Sequence, residues 1–153
     1  MPLAQFYNVA YDLSEPFRVV GSIQDHHSFI GRVDLSRGRD KARIDKFEPT
    51  VGAEGCSHQI DPRDNNTIYG SIFYGRLAKG KIDNFSWDDL DMLIPEQLPG
   101  DEILRGQWVS PTLLSTHNPD IVYHCMQKVM MSRDQGQTWE EISPVLSYND
   151  SKN

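Results

Sequence analysis

This chain is short of several features that would place a protein quickly. It has only two cysteines, Cys56 and Cys125. Two thiols build no disulfide framework, and they leave the redox compartment open. No apolar run approaches 20 residues, which excludes a membrane-spanning helix. Positive charge is scarce: 15 Lys and Arg against 22 Asp and Glu give a net charge of −7. Without a basic stripe to neutralise phosphates, nucleic acid is excluded as a main partner. An acidic surface of this kind chiefly serves solubility. No long stretch spaces its apolar residues at helical period, so helices are not expected to build the core. Met1-Pro2-Leu3-Ala4-Gln5 leads straight into a strand pattern, so no signal peptide is expected.

What the chain does have is repetition. Arg18-Val19-Val20-Gly21-Ser22-Ile23 recurs as Thr67-Ile68-Tyr69-Gly70-Ser71-Ile72. Phe29-Ile30-Gly31-Arg32-Val33 then resembles Phe73-Tyr74-Gly75-Arg76-Leu77. Matched this way, the first copy carries five extra residues, Gln24-Asp25-His26-His27-Ser28. A weaker third copy relates Asp61–Tyr69 to Ser115–Tyr123. A period near 50 residues, with short runs of Val, Ile and Tyr between Gly, Pro, Asn and Asp, suits four-stranded propeller blades. A β-sandwich is the alternative. The expected fold is therefore all-β, a propeller segment of about three antiparallel blades at about 5–50, 51–105 and 106–146, with a frayed tail at 147–153.

Each blade is expected to hold four strands: Tyr7–Tyr11, Arg18–Ile23, Phe29–Val33 and Lys41–Phe47; then Cys56–Ile60, Thr67–Ile72, Gly75–Ala78 and Lys81–Phe85; then Ser110–Leu114, Ile121–Met126, Lys128–Ser132 and Thr138–Ile142. Three blades leave a ring open. Further blades or self-association are expected to complete it.

Ser132-Arg133-Asp134-Gln135-Gly136-Gln137-Thr138-Trp139 fits the pattern Ser-x-Asp-x-Gly-x-x-Trp. Its chemistry is that of a turn. The Asp134 carboxylate accepts backbone N–H groups, Ser132 assists, Gly136 supplies positive φ, and Trp139 buries its ring. This octet resembles the Asp-box, or BNR repeat, of sialidases, xyloglucanase-type glycoside hydrolases and sortilin-type receptors. Gln5–Ala10, Gly21–Ser28, Ile60–Asp64, Leu114–Pro119 and Glu141–Pro144 are similar to bacterial propeller proteins of that group. The resemblance implies a blade segment of a longer protein, commonly an exported one. A shared fold alone does not transfer chemistry.

Strand alternation puts the Gln24–Ser28 loop, Thr50–Gly55 and the long Ser86–Gln107 link at one end of the blades. Asp12, Glu15, Asp61, Arg63, Asp64, His117 and Asp134 fall at the other. At the first end Asp25 and Glu54 are the candidate catalytic carboxylates, as acid and base or nucleophile of a glycoside hydrolase. Gln24, His26, His27, Arg105 and Trp108 are the candidate ligand contacts: Trp108 to stack on a sugar, Arg105 to hold a hydroxyl or carboxylate. The Ser86–Gln107 link is long enough for a lid. His26, His27, Cys56, His58, His124 and Cys125 show no tetrahedral spacing, and Asp88, Asp89 and Asp91 lack the glycine of a calcium loop. No metal or cofactor is expected. The leading expectation is a module binding peptide or carbohydrate, or a scaffold. A hydrolase fragment is second, and a gene fragment without activity is third.

Overall fold

The computed structural model describes residues 4–54, 57–95, 97 and 99–147. They form three antiparallel up-and-down sheets. The first holds β1 (Val9–Tyr11), β2 (Phe17–Ser22), β3 (Ser28–Asp34) and β4 (Arg43–Ile44), with β5 (Glu48–Thr50) pairing β3 beyond β4. The second is β6 (His58–Ile60), β7 (Thr67–Ile72), β8 (Arg76–Lys81) and β9 (Asp91–Met92). The third is β10 (Thr112–Leu114), β11 (Val122–Cys125), β12 (Val129–Ser132) and β13 (Glu140–Glu141). The architecture is all-β and blade-like.

The inner strands β1, β6 and β10 lie side by side, so the sheets stack face to face in chain order. Alternation along each strand then sends successive side chains to opposite neighbours. Val20 and Ile30 of the first sheet meet Ile68 and Ala78 of the second, with Val51 between them. Tyr69 and Leu77 on the other face of the second sheet meet Leu114, Val122 and Trp139 of the third. This explains the unbroken buried run Thr67–Ser71. A strand covered on both faces has no polar side to show. Each fully buried Leu, Ile or Val contributes about 1.5–3 kcal/mol of transfer free energy.

The register corrects the expected insertion. Arg18 pairs Arg32, and Thr67 pairs Lys81. The offset is 67 − 18 = 49 in one strand and 81 − 32 = 49 in the other. The hairpins are therefore equal in length. Gln24-Asp25-His26 is not extra; it occupies the place of Phe73-Tyr74-Gly75. The tips share their geometry too, with φ of 62° at Asp25 and 61° at Tyr74. The true counterpart of Gly31-Arg32-Val33-Asp34 is Gly80-Lys81-Ile82-Asp83. The likeness between Phe29–Val33 and Phe73–Leu77 set a strand against a loop. The third hairpin is the short one: Cys125 pairs Val129 where Ser71 pairs Leu77.

A second correction concerns the fourth strand of the second sheet. It is Asp91–Met92, not Lys81–Phe85. β8 runs on to Lys81, and the Asn66 side chain then accepts the amides of Ile82 and Asp83 to turn the chain. The Ser86–Gln107 segment therefore contains a strand, and only its later part is a link. Each sheet also seats an apolar plug just before its last strand. Phe47 lies on Gly31, Leu90 lies on Gly80, and Trp139 packs on the second core. The two glycines leave room that a Cβ would fill.

Candidate functional site

The site is built from hairpin tips and the segments that follow each sheet. In the first sheet the tip is closed by the Ile23 amide donating to His27, with His26 donating back to Ile23. Positive φ at Asp25 and His27 turns Gln24, Asp25, His26 and His27 outward, and all four are exposed. Tyr7 Oη donates to Gln24 Oε1 at 2.7 Å, and His26 Nδ1 donates to the Gln24 carbonyl at 2.9 Å.

Beside this tip lies the segment after β5. The Asp25 amide donates to Glu54 Oε2 at 3.1 Å. The two candidate carboxylates are thus brought together, but through a backbone group, and Glu54 acts as an acceptor that steadies the tip. What holds Glu54 there is buried. Ser28 Oγ donates to the Ala53 carbonyl at 2.9 Å. His58 Nε2 sits 3.1 Å from the Val51 carbonyl and 3.0 Å from Ser28 Oγ. Burial pushes the His58 imidazole down to about 4, against the raising effect of the Val51 carbonyl, so the ring is neutral near pH 7. Gly52 at φ 110° leaves space for this ring; a Cβ there would lie 2.7 Å from His58 Nε2.

The second sheet repeats the arrangement with aromatic residues. Its tip carries Phe73 and Tyr74, and the Tyr74 amide donates to the Gln107 carbonyl at 3.0 Å. Trp108 stacks on Phe73, centroids 5.2 Å apart and planes at 16°, and meets Tyr74 edge-on at 5.5 Å. Trp108 is 39% exposed and Tyr74 60%. Arg105, also exposed, is held by its backbone: its amide donates to Gln127 Oε1 at 2.7 Å, and the Gln127 amide returns to its carbonyl at 2.8 Å. Buried His124 donates through Nε2 to the Gly75 carbonyl at 2.9 Å and accepts from Thr112 at Nδ1. Burial lowers its pKa as well.

The candidate residues therefore form two groups. Gln24 and His26 line a cleft of about 510 Å³ with Phe6, Tyr7 and Phe29. Arg105 lines a separate one of about 430 Å³ with Tyr74, Leu104, Met126 and Gln127. His27 lies against Trp87, centroids 5.8 Å apart. Phe73, Tyr74 and Trp87 were not among the expected contacts. Phe73 and Tyr74 fall in the turn expected between Thr67–Ile72 and Gly75–Ala78, where no contact role was assigned to them.

At the opposite end most of the carboxylates are engaged by neighbouring groups. Ser132 Oγ donates to Asp134 Oδ1 and accepts the Gly136 amide, while Thr138 gives both amide and hydroxyl to Asp134. These bonds, the Thr138 hydroxyl foremost, hold Asp134 down to about 2. Gly136 has φ 93° and rests against Leu93. Arg63 bridges Asp61 and Asp120, and Lys81 meets Asp64. No group of three or more His, Cys, Asp or Glu suited to a metal occurs among the described residues. Cys125 is a free, half-buried thiol, and Cys56 lies outside the described residues. No family model, no curated protein and no solved structure significantly matches this chain.

Proposed function

We propose that this chain is a carbohydrate-binding module made of three consecutive blades of an Asp-box β-propeller. The observation that carries the reading is the exposed Trp108–Tyr74–Phe73 cluster beside the Arg105 backbone, at a hairpin tip pinned by buried His124. A rigid aromatic surface offers apolar area with little rotamer entropy to lose, and sugar C–H faces pack on such rings. Arg105, whose Nη1 lies 3.7 Å from Glu102 Oε1, adds its remaining guanidinium donors for hydroxyls or a carboxylate. Gln24, His26 and His27, with the Asp25–Glu54 contact, form a second polar patch on the neighbouring tip.

The test is a titration of the chain with neutral and acidic oligosaccharides, read by tryptophan emission and calorimetry. Saturable binding that Trp108→Ala weakens about tenfold supports the reading. Binding of peptides alone would move the ligand class, and binding of neither would end it. A glycoside hydrolase using Asp25 and Glu54 is the second reading. Glu54 already accepts the Asp25 amide, and this favours binding over turnover. Hydrolysis of a chromogenic glycoside that Glu54→Gln abolishes would reverse that order.

A further inference from the structure

We infer that the outer faces of the first and third sheets are two halves of one interface, and that a second copy of this chain docks there head to tail to close a six-bladed ring. The inference rests on the propeller reading above. Its argument is a comparison of equivalent positions. Every sheet turns one side back toward its predecessor and one side forward toward its successor.

On the backward side, Val9, His58 and Thr112 are equivalent, since they pair with Gly21, Gly70 and His124. His58 and Thr112 are buried, whereas Val9 is 54% exposed. Two residues on, Leu114 is buried and Ile60 packs against the first core, whereas Tyr11 is 67% exposed. On the forward side, Thr50, Leu93 and Ile142 are equivalent, lying opposite Ser28, Leu77 and Val129. Thr50 and Leu93 are buried, whereas Ile142 is 46% exposed. Leu113 is 54% exposed where its counterpart Ala10 packs against the core. Val9, Tyr11, Leu113 and Ile142 thus stand in solvent at positions where other sheets bury their equivalents against a neighbour. Among the described residues, no sheet covers the backward face of the first sheet or the forward face of the third.

The third sheet's forward face suits the first sheet's backward face for the reason the internal interfaces work. Both continue a contact the chain already makes twice. A head-to-tail contact closes into a ring only if its rotation allows, and otherwise runs on as a filament. Propellers typically hold four to eight blades. Two copies of three blades reach six; three copies overshoot.

The test is sedimentation of the intact chain and two variants, Tyr11→Asp and Leu113→Asp. The wild type is expected at twice the 17.5 kDa of one chain. Each variant alone is expected at the single mass, because both contacts of a two-membered ring then carry the lesion. An equimolar mixture is expected to recover the doubled mass, because one contact has both faces intact. A wild-type monomer, an open-ended series of larger species, a variant that keeps the doubled mass, or a mixture that does not recover would each overturn the inference. If either Asp variant loses its near-ultraviolet circular dichroism, Tyr11→Ser and Leu113→Ser carry the same comparison. Titrating the same samples with oligosaccharide separates the two proposals: a monomer that binds sugar sinks the ring alone, and a ring that binds none sinks the binding module alone.

Discussion

The two ends of the sheets use similar residues in opposite ways. At the turn end, carboxylates are occupied by their own chain: Asp12 by Arg18, Asp61 by Arg63, Asp64 by Thr67 and Lys81, Asp134 by Ser132 and Thr138. At the tip end the backbone closes the loops, and Asp25, His26, His27, Tyr74 and Trp108 stand in solvent. An acidic residue whose oxygens are filled by neighbouring amides is doing a structural task. A side chain held out on a closed loop is available to a ligand. The contrast predicts that substitutions at the turn end cost stability, while those at the tip end cost binding.

The largest effect is expected at Asp12. It is buried with Arg18, accepting the Arg18 amide at 2.7 Å and Nε at 2.6 Å. Burial alone would raise its pKa, but the Arg18 amide, the Ser14 hydroxyl and the guanidinium together hold it below the usual carboxylate value. Asp12→Ala leaves Arg18 a buried charge without this partner, and about 3–5 kcal/mol should be lost in urea denaturation. A loss no larger than that of a tip substitution would break the comparison.

Acid comes next. His58 is neutral in the fold, with its pKa down at about 4 against an ordinary value of 6.5. Between those values the unfolded chain binds the proton and the folded chain does not, so stability rises with pH. The contribution is fully present above about pH 6.5 and is lost as pH falls toward 4, on the order of 3 kcal/mol. Thermal melts across this window should show the decline, and His58→Leu should flatten it. Asp12, Asp64 and Asp134, all depressed, extend the loss to lower pH.

These effects also show what was legible in the sequence. The first two strands of each sheet were, because β-branched runs between turn residues mark them. The hairpin register was not. Phe29–Val33 and Phe73–Leu77 share Phe, Gly and Arg, yet only cross-strand pairing distinguishes a strand glycine from a loop glycine. β9 was missed because Asp91-Met92 is two residues long and exposed, held by Lys79 and Ala78 opposite and by no pattern of its own. Of the site, Asp25 and Glu54 were placed at one end by alternation alone. Of the aromatic cluster, Trp108 was named, but nothing in the sequence alone brings it onto Phe73 and Tyr74, because that contact joins segments about 35 residues apart.

At the tip end, Trp108→Ala should leave the denaturation midpoint nearly unmoved and weaken oligosaccharide binding about tenfold, or ~1.4 kcal/mol. A large stability loss instead would show that Trp108 is a core residue with an exposed edge, and would blur the contrast.

The smallest effect sharpens it most. Asp25 sits at φ 62°, a conformation glycine adopts freely. In Asp25→Gly the relief of backbone strain opposes the greater freedom of the unfolded chain, and the amide that binds Glu54 is kept. Stability should change by no more than about 0.5 kcal/mol, measured by the same urea titration. Oligosaccharide affinity should fall by less than in Trp108→Ala, since the substitution removes one exposed carboxylate from the tip and leaves the aromatic cluster intact. A hydrolase would instead lose its turnover with no loss of fold. Asp25→Gly therefore separates a tip that binds from a tip that reacts, because there the carboxylate has no structural task to confuse the result.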